Sequence, residues 1–396
     1  MLSILDKSKN VDDVKVEVQI IERKKDKKLY QTCSNGKVEE VQKLLQNSQI
    51  NINWQNENDF LRTPFSIACQ KGQIDIVQLL LNDKRIDLNK ADNYDRTPFL
   101  IACTGHIEIV KLLLNDERID VNKAANGATP FFIACYKGHV KIVKLLLNDK
   151  RIDINKEDNI GWTPFHHVCG KGHIEIVKLL LNDERVDINK TSNSGWTPFY
   201  VACRNGHIDV VKLLLNDERV DINKPSNDGS TPFYIACLNG HLKIVKLLLN
   251  DNRVDINKAD NDGSTPFHSA CQKGHIDIVK LLLNDNRVDT NKANKNGWTP
   301  FHSACLNGHI DIVKLLFHDN RVEINKANKY GRTPFYIACY SGYIDIVKLL
   351  LSDQRVDINK ASNDGSTPFY IACLNGHLKI VKLLLNDNRV DINKAD

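Results

Sequence analysis

Long apolar runs are missing from these 396 residues. Stretches such as Leu79-Leu80-Leu81 are far too short to cross a bilayer, so no direct membrane insertion is expected. The opening Met1-Leu2-Ser3-Ile4-Leu5-Asp6 lacks the apolar core of a secretory signal. Excess charge is missing too: Lys+Arg at 54 against Asp+Glu at 49 leaves a net +5. A nucleic-acid binder usually shows a concentrated basic face or a much higher charge, so no nucleic-acid partner is expected. The one dense basic run, Arg23, Lys24, Lys25, Lys27 and Lys28, reads as a solvated helix face ahead of the rest of the chain. Independent proline and glycine are equally scarce. Of 11 prolines only Pro225 lies outside the tripeptide Thr-Pro-Phe, and of 20 glycines only Gly170 lies outside two recurring slots. Such regularity excludes a string of unrelated domains and points to one module copied many times.

Thr-Pro-Phe begins at Thr63, Thr97, Thr129, Thr163, Thr197, Thr231, Thr265, Thr299, Thr333 and Thr367. The spacing is 34 residues, except for 32 between Thr97 and Thr129. A degenerate copy puts Lys27-Lys28-Leu29 in the same slot, followed by Cys33 and Gly36, which makes eleven repeats. The expected division is therefore a charged helical cap or tail over 1–26 and the repeats over 27–396.

The unit starting at Thr265 shows what each slot does. Thr265 is a natural N-cap, and Pro266 suits the first helical position, where its missing N–H costs nothing. Phe267, Ala270 and Cys271 then form one apolar stripe. Gly274 is expected to end this short helix in a left-handed conformation. A second helix presents Ile276, Val279, Leu282 and Leu283 on one face. A polar stretch, Asn-Asp-Asn-Arg-Val-Asp-Thr-Asn-Lys, leads to a tight turn at Asn296-Gly297 before the next Thr-Pro. Each unit is two short helices and a projecting turn, too small to bury its own stripes, so neighbours must stack.

The phrase Thr-Pro-Phe-His-x-Ala-Cys-x-x-Gly-His-x-x-Ile-Val-Lys-Leu-Leu-Leu resembles the ankyrin repeat, with Phe where that family has Leu and Cys where it has Ala. The likeness covers about residues 27–396; the departure is one extra residue in the Asn-Asp-x-Arg-Val-Asp segment. Tetratricopeptide arrays also repeat at 34 but have longer helices, no finger and their own Trp, Tyr and Pro spacing. The resemblance implies an all-α repeat solenoid of ankyrin helix-turn-helix units with projecting β-turn or hairpin fingers. Residues 226–260 and 362–396 are identical, offset by four repeats. The chain stops at Asp396 in mid-pattern without a polar closing repeat, which suggests a truncated gene product or last helices that fray.

No catalytic constellation is expected. Cys-x-x-Gly-His, as in Cys271 with His275, offers at most two metal ligands per unit, and Gln73 or Tyr343 takes the histidine slot elsewhere. Eleven cysteines facing one way along a stack read as buried thiols, not disulfides or zinc ligands, and fit a reducing, cytoplasmic setting. Asp260-Asn261-Asp262-Gly263 fails the calcium-loop register, with Lys258 in the first ligand position and Ser269 in the closing one. By resemblance, His166, His268 and His302 brace helix starts. No cofactor is implied, and subtracting the array leaves about 26 residues, too few for an enzyme domain.

The informative residues change while the frame stays fixed. Beside the turn glycine, or its matching slot, stand Tyr94, Arg96, Trp162, Trp196, Trp298, Tyr330 and Arg332; after the cysteine stand Tyr136, Arg204 and Tyr340. By resemblance these slots line the fingertips and inner helices of a concave face, and Trp, Tyr and Arg dominate binding hot spots. Three of the four tryptophans share one slot, read as exposed. The expected function is a monomeric, non-enzymatic scaffold or adaptor gripping a partner protein in a groove of repeats 4–8. Alternatives are a regulatory or targeting subunit of an enzyme on a separate chain, and an effector acting on a host or membrane-associated protein. By resemblance alone, the Asn of Asp-Ile-Asn-Lys, such as Asn257, matches a position hydroxylated in some ankyrin proteins.

Overall fold

The computed structural model describes residues 11–393, with side chains from residue 19 onward. Expectations for residues 1–10 lie outside the described residues. Among the described residues the elements are 22 helices and two isolated β-bridges, Asn56–Arg62 and Ala125–Ala128. The chain divides into two compact units, Met1–Asn193 and Ser194–Asp396. In the first, helix α1 (Val11–Ser34) runs unbroken through residues 26 and 27 and is followed by α2 (Val38–Leu45). Leu29 of α1 is fully buried in the place that Phe fills elsewhere.

Every Thr-Pro-Phe starts a helix, and the reason is local. Thr265 takes an extended backbone, its hydroxyl accepts the His268 amide at 3.2 Å, and Pro266 follows as the first helical residue. Phe267, Ala270 and Cys271 are buried as expected. On the second helix the buried stripe is Ile278, Val279 and Leu282; Ile276 and Leu283 are only half-buried. Ile276 opens its helix, so it borders the core, whereas Ile278 lies one turn before Leu282 on the inward face.

Gly206 closes the helix Pro198–Asn205 at φ +81°, and an added Cβ would sit 2.7 Å from Cε1 of His241 in the next repeat. The slot needs glycine both for its left-handed backbone and for the close approach of the neighbour. The repeat from Thr97 has one residue fewer here, and its first helix is only Pro98–Ala102.

The fingers are tight hairpin loops. In the usual finger the Gly297 amide donates to the Asn294 carbonyl at 2.8 Å and the Asn294 amide to the Trp298 carbonyl at 2.9 Å, a turn closed by a left-handed glycine. Most fingertips also donate to their predecessor, as Lys295 does to Asp262 at 2.8 Å and Asn193 to Ile160 at 3.1 Å. The finger before Thr129 is one residue shorter and becomes a two-residue turn, with Asn126 and Gly127 at φ +50° and +84°.

The polar segment after each second helix joins neighbouring repeats within each unit. Asp319 holds the Arg321 guanidinium at 2.7 Å, and the same Nη2 donates to the Leu283 carbonyl, an orphan at the end of the preceding helix. Asn257 donates to the Arg287 carbonyl at 2.7 Å and accepts the Asp289 amide at 3.0 Å, so both ends of its amide are engaged.

Ten cysteines are buried and free; Cys373 is exposed, which corrects the expectation of eleven buried thiols. The cause is position. Tyr234 is 6% exposed beneath the next repeat, whereas Tyr370, in the identical segment, is 45% exposed.

Candidate partner-binding surface

The fingers present their variable side chains on frames built by short polar residues. In the first unit Asp92 is buried, and its Oδ1 accepts the amides of Tyr94 (2.9 Å) and Arg96 (3.0 Å). Its Oδ2 takes the Arg96 guanidinium at 2.6 Å. Arg96 then lies over the Tyr94 ring, 4.9 Å from its centroid. Tyr94 itself is exposed. Beside the pair opens a hollow of about 280 Å³ lined by Tyr94, Arg96, Leu100, Ala128 and Ile133, left by the short finger and by Ala128 in the tryptophan slot.

Trp162, Trp196 and Trp298 are half-buried, not exposed. Each indole leaves its finger just before the N-cap threonine and folds back over the residue four positions on. Trp162 stacks near His166 at 5.9 Å, Trp196 on Tyr200 at 5.6 Å, and Trp298 meets His302 edge-on at 5.7 Å. In the second unit Arg204 is exposed and lies over Trp196, with Cζ 4.6 Å from the ring centroid. Arg332 lies over both Tyr330 (5.6 Å) and Tyr336 (5.5 Å), and Tyr330 and Tyr340 are exposed. The candidates thus come together as aromatic–cation pairs, Tyr94 with Arg96, Trp196 with Arg204 and Tyr330 with Arg332.

Tyr136 and Trp162 belong to a cluster that the sequence reading missed. His167 sits 4.8 Å from Trp162 and 5.7 Å from Tyr136, ring to ring, and its Nε2 meets Asp158 Oδ2 at 2.9 Å. Phe132 closes on His167 at 4.4 Å, while Lys171 lies over the Tyr136 ring at 4.7 Å. Burial pushes the His167 pKa down, opposed by its bond to Asp158. A signal for it existed: this slot holds Ile, Val or Ser in every other Thr-Pro-Phe repeat.

The recurring histidines serve the frame. His275 Nε2 meets the Leu238 carbonyl at 3.0 Å, and His309 meets that of Gln272 at 3.0 Å, in each case in the preceding repeat. His166 and His302 accept the amides of Thr163 and Thr299 on Nδ1 at 3.1 Å, the expected brace. His268 does not brace Thr265: its Nε2 turns to the Ser303 hydroxyl at 2.6 Å and its Nδ1 finds no partner. A serine at 303, where most repeats carry Ile or Val, offers the competing partner. Among the described residues no three His, Cys, Asp or Glu side chains are placed to hold a metal ion, and burial raises the cysteine pKa values, to about 12 for Cys33.

Comparison with protein families finds the model for ankyrin repeats (3 copies) matching residues 29–125, 117–192, 165–260, 252–328 and 317–396. The chain belongs to the ankyrin-repeat family. No curated protein matches it. Ankyrin repeats are protein–protein interaction modules, generally without catalytic activity of their own, and no helix among the described residues is long and apolar enough to cross a membrane. The sequence departures now have structural places. Phe fills the core position where the ankyrin pattern has Leu, and the polar segment that holds the extra residue carries the Asp–Arg clamp.

Proposed function

We propose that this ankyrin array is a non-enzymatic scaffold or adaptor that holds a partner protein against its fingertips and first helices, the face that the resemblance makes concave. The observation that supports this most is the pairing of cations with aromatic rings in slots that vary while the frame is constant. Arg96 over Tyr94, Lys171 over Tyr136, Arg204 over Trp196 and Arg332 over Tyr330 are side chains that rest on one another within the chain itself. Ordering in advance lowers the entropy lost on binding, and rigid aromatics with Arg are what hot spots use. Trp162, Trp298 and Tyr340 complete the proposed contact set. Unbridged thiols support a reducing compartment for this activity.

The test has two steps. The intact chain captures partners from native lysate, and the purified partner is then titrated against intact chain and against Trp196→Ala, Arg204→Ala, Tyr330→Ala and Tyr94→Ala. The proposal expects at least one substitution to weaken binding on the order of tenfold or more. Equal affinity for all four would remove this face from consideration.

A further inference from the structure

The exposed arc of α1 differs in chemistry from the rest of its own helix. Leu29, Tyr30, Thr32 and Cys33 are buried on the inward side, toward the helix Pro64–Lys71. Asp26 is buried there as well, its carboxylate accepting the Asn51 amide at 2.8 Å. Glu22 falls one turn before Asp26 and is half-buried. At 3.6 residues per turn, Arg23, Lys24, Lys27 and Lys28 fall on the opposite side together with Ile20, Ile21 and Gln31. All seven are exposed, Ile20 at 48% and Ile21 at 52%. From residue 19 to residue 31 the outward arc therefore carries four cations and two aliphatic side chains, and by the same register Glu17 falls on it one turn before Ile20 and Ile21. None of the four cations has an ion-pair partner among the described residues.

We propose that this arc is a peripheral docking surface for a bilayer that carries anionic headgroups. Four cations within two helical turns outweigh the one carboxylate, Glu17, that shares their arc and attract a negatively charged surface, and clusters of this size on an amphipathic helix suit acidic lipid headgroups. The isoleucines decide between polyanions. Aliphatic side chains beside the cations gain from entering the acyl boundary, whereas the phosphates and sugars of a nucleic acid, or a purely acidic peptide, offer them nothing comparable. Such a helix lies in the plane of the interface, and attachment requires no membrane-crossing segment. This arc shares no residue with the proposed finger contacts, so either proposal can fail without the other.

The test is co-sedimentation of the full chain with phosphatidylcholine vesicles, with and without phosphatidylserine, over a range of salt. Duplex DNA and polyglutamate serve as competing polyanions. Two variants accompany it: one combines Arg23→Glu, Lys24→Glu, Lys27→Glu and Lys28→Glu, and the other combines Ile20→Ser with Ile21→Ser. Circular dichroism checks that each variant keeps its helices; should the charge variant unfold, the isoleucine variant still reads the surface. The proposal expects binding only to the phosphatidylserine vesicles, weakening with salt. Each cation at an anionic surface contributes roughly a fivefold factor, so charge reversal should lower binding more than tenfold. The isoleucine variant should bind several-fold more weakly with its charges intact. No binding to phosphatidylserine vesicles at low salt would overturn the proposal. So would equal binding by either variant, or capture of DNA or polyglutamate in place of vesicles.

Discussion

The guanidinium of Arg151 donates to the main-chain carbonyl of Leu114, 37 residues earlier, at 2.7 Å. Asp149 holds the same Nη2 at 2.6 Å. Arg118 repeats this on Leu81 and Arg185 on Leu147, so the exposed polar loops are couplings between repeats, not spacers. Arg151→Ala should destabilise the array by up to about 1 kcal/mol, a modest value because the pair faces solvent. Asp149→Ala should cost a similar amount, and the double variant less than the sum, because one clamp is lost in all three. Urea titrations of the three variants check this; strict additivity would show that the two residues do not act as one clamp.

Asp95 occupies a fingertip slot where most repeats have glycine, at φ +60° and exposed. The left-handed backbone costs a residue with a Cβ roughly 1 kcal/mol more than glycine. Asp95→Gly should therefore stabilise the first unit by up to that amount, read as a higher urea midpoint. A lower midpoint would mean that the carboxylate does something in the finger that its geometry does not reveal.

His268 and His302 are buried without charge, and burial lowers both pKa values to about 4. Above the unfolded value of about 6.5 both states are neutral, and the pair has no influence on stability. As the pH falls from there towards 4, the unfolded chain takes up protons that the native state refuses, so stability is lost over that window. The loss is on the order of 3 kcal/mol for each histidine once the pH reaches 4. Comparing urea midpoints at neutral and acid pH, His268→Gln and His302→Gln should each lose less than the parent chain. An unchanged acid loss would assign it wholly to the carboxylates.

Thiol chemistry reads the same burial directly. Cys373 is exposed while the other ten cysteines are buried, with thiol pKa values raised by that burial. A thiol reagent added to the native chain should modify about one equivalent quickly and the remainder only on unfolding. Rapid modification of several equivalents would indicate that repeats open independently on that timescale.

For the finger surface, Trp196→Ala should weaken partner binding by about 2 kcal/mol, with Arg204→Ala less severe but coupled to it, since the guanidinium rests on the indole. Titration calorimetry of the double-variant cycle measures that coupling. Independent effects would mean that the partner meets the two side chains separately.

Much of this fold was legible because each framework residue has a local task. Thr265 caps, Pro266 starts the helix and Gly274 ends it at φ +80°, all from neighbouring backbone geometry. The candidate surface was less legible. Slot identity said that Trp162, Trp196 and Trp298 vary, but the path of a side chain depends on what stands four residues on, where His166, Tyr200 and His302 supply platforms. His268 fell outside the pattern for a related reason: its partner, Ser303, lies 35 residues away in sequence. The His167–Asp158 pair spans only nine residues, yet nothing in the spacing marks an imidazole that turns back onto its finger.

The clamps aim at main-chain carbonyls and amides, and this has a consequence for heredity. An arginine that reads a carbonyl, like an asparagine that spans an amide and a carbonyl, is indifferent to the side chains of the repeat it joins. These clamps therefore survive a change of neighbour, so unequal exchange between gene segments one or several repeats long leaves this set of junctions intact. The identical stretches 226–260 and 362–396 fit that history: the same structural grammar that fixes the frame leaves copy number and fingertip residues free to vary.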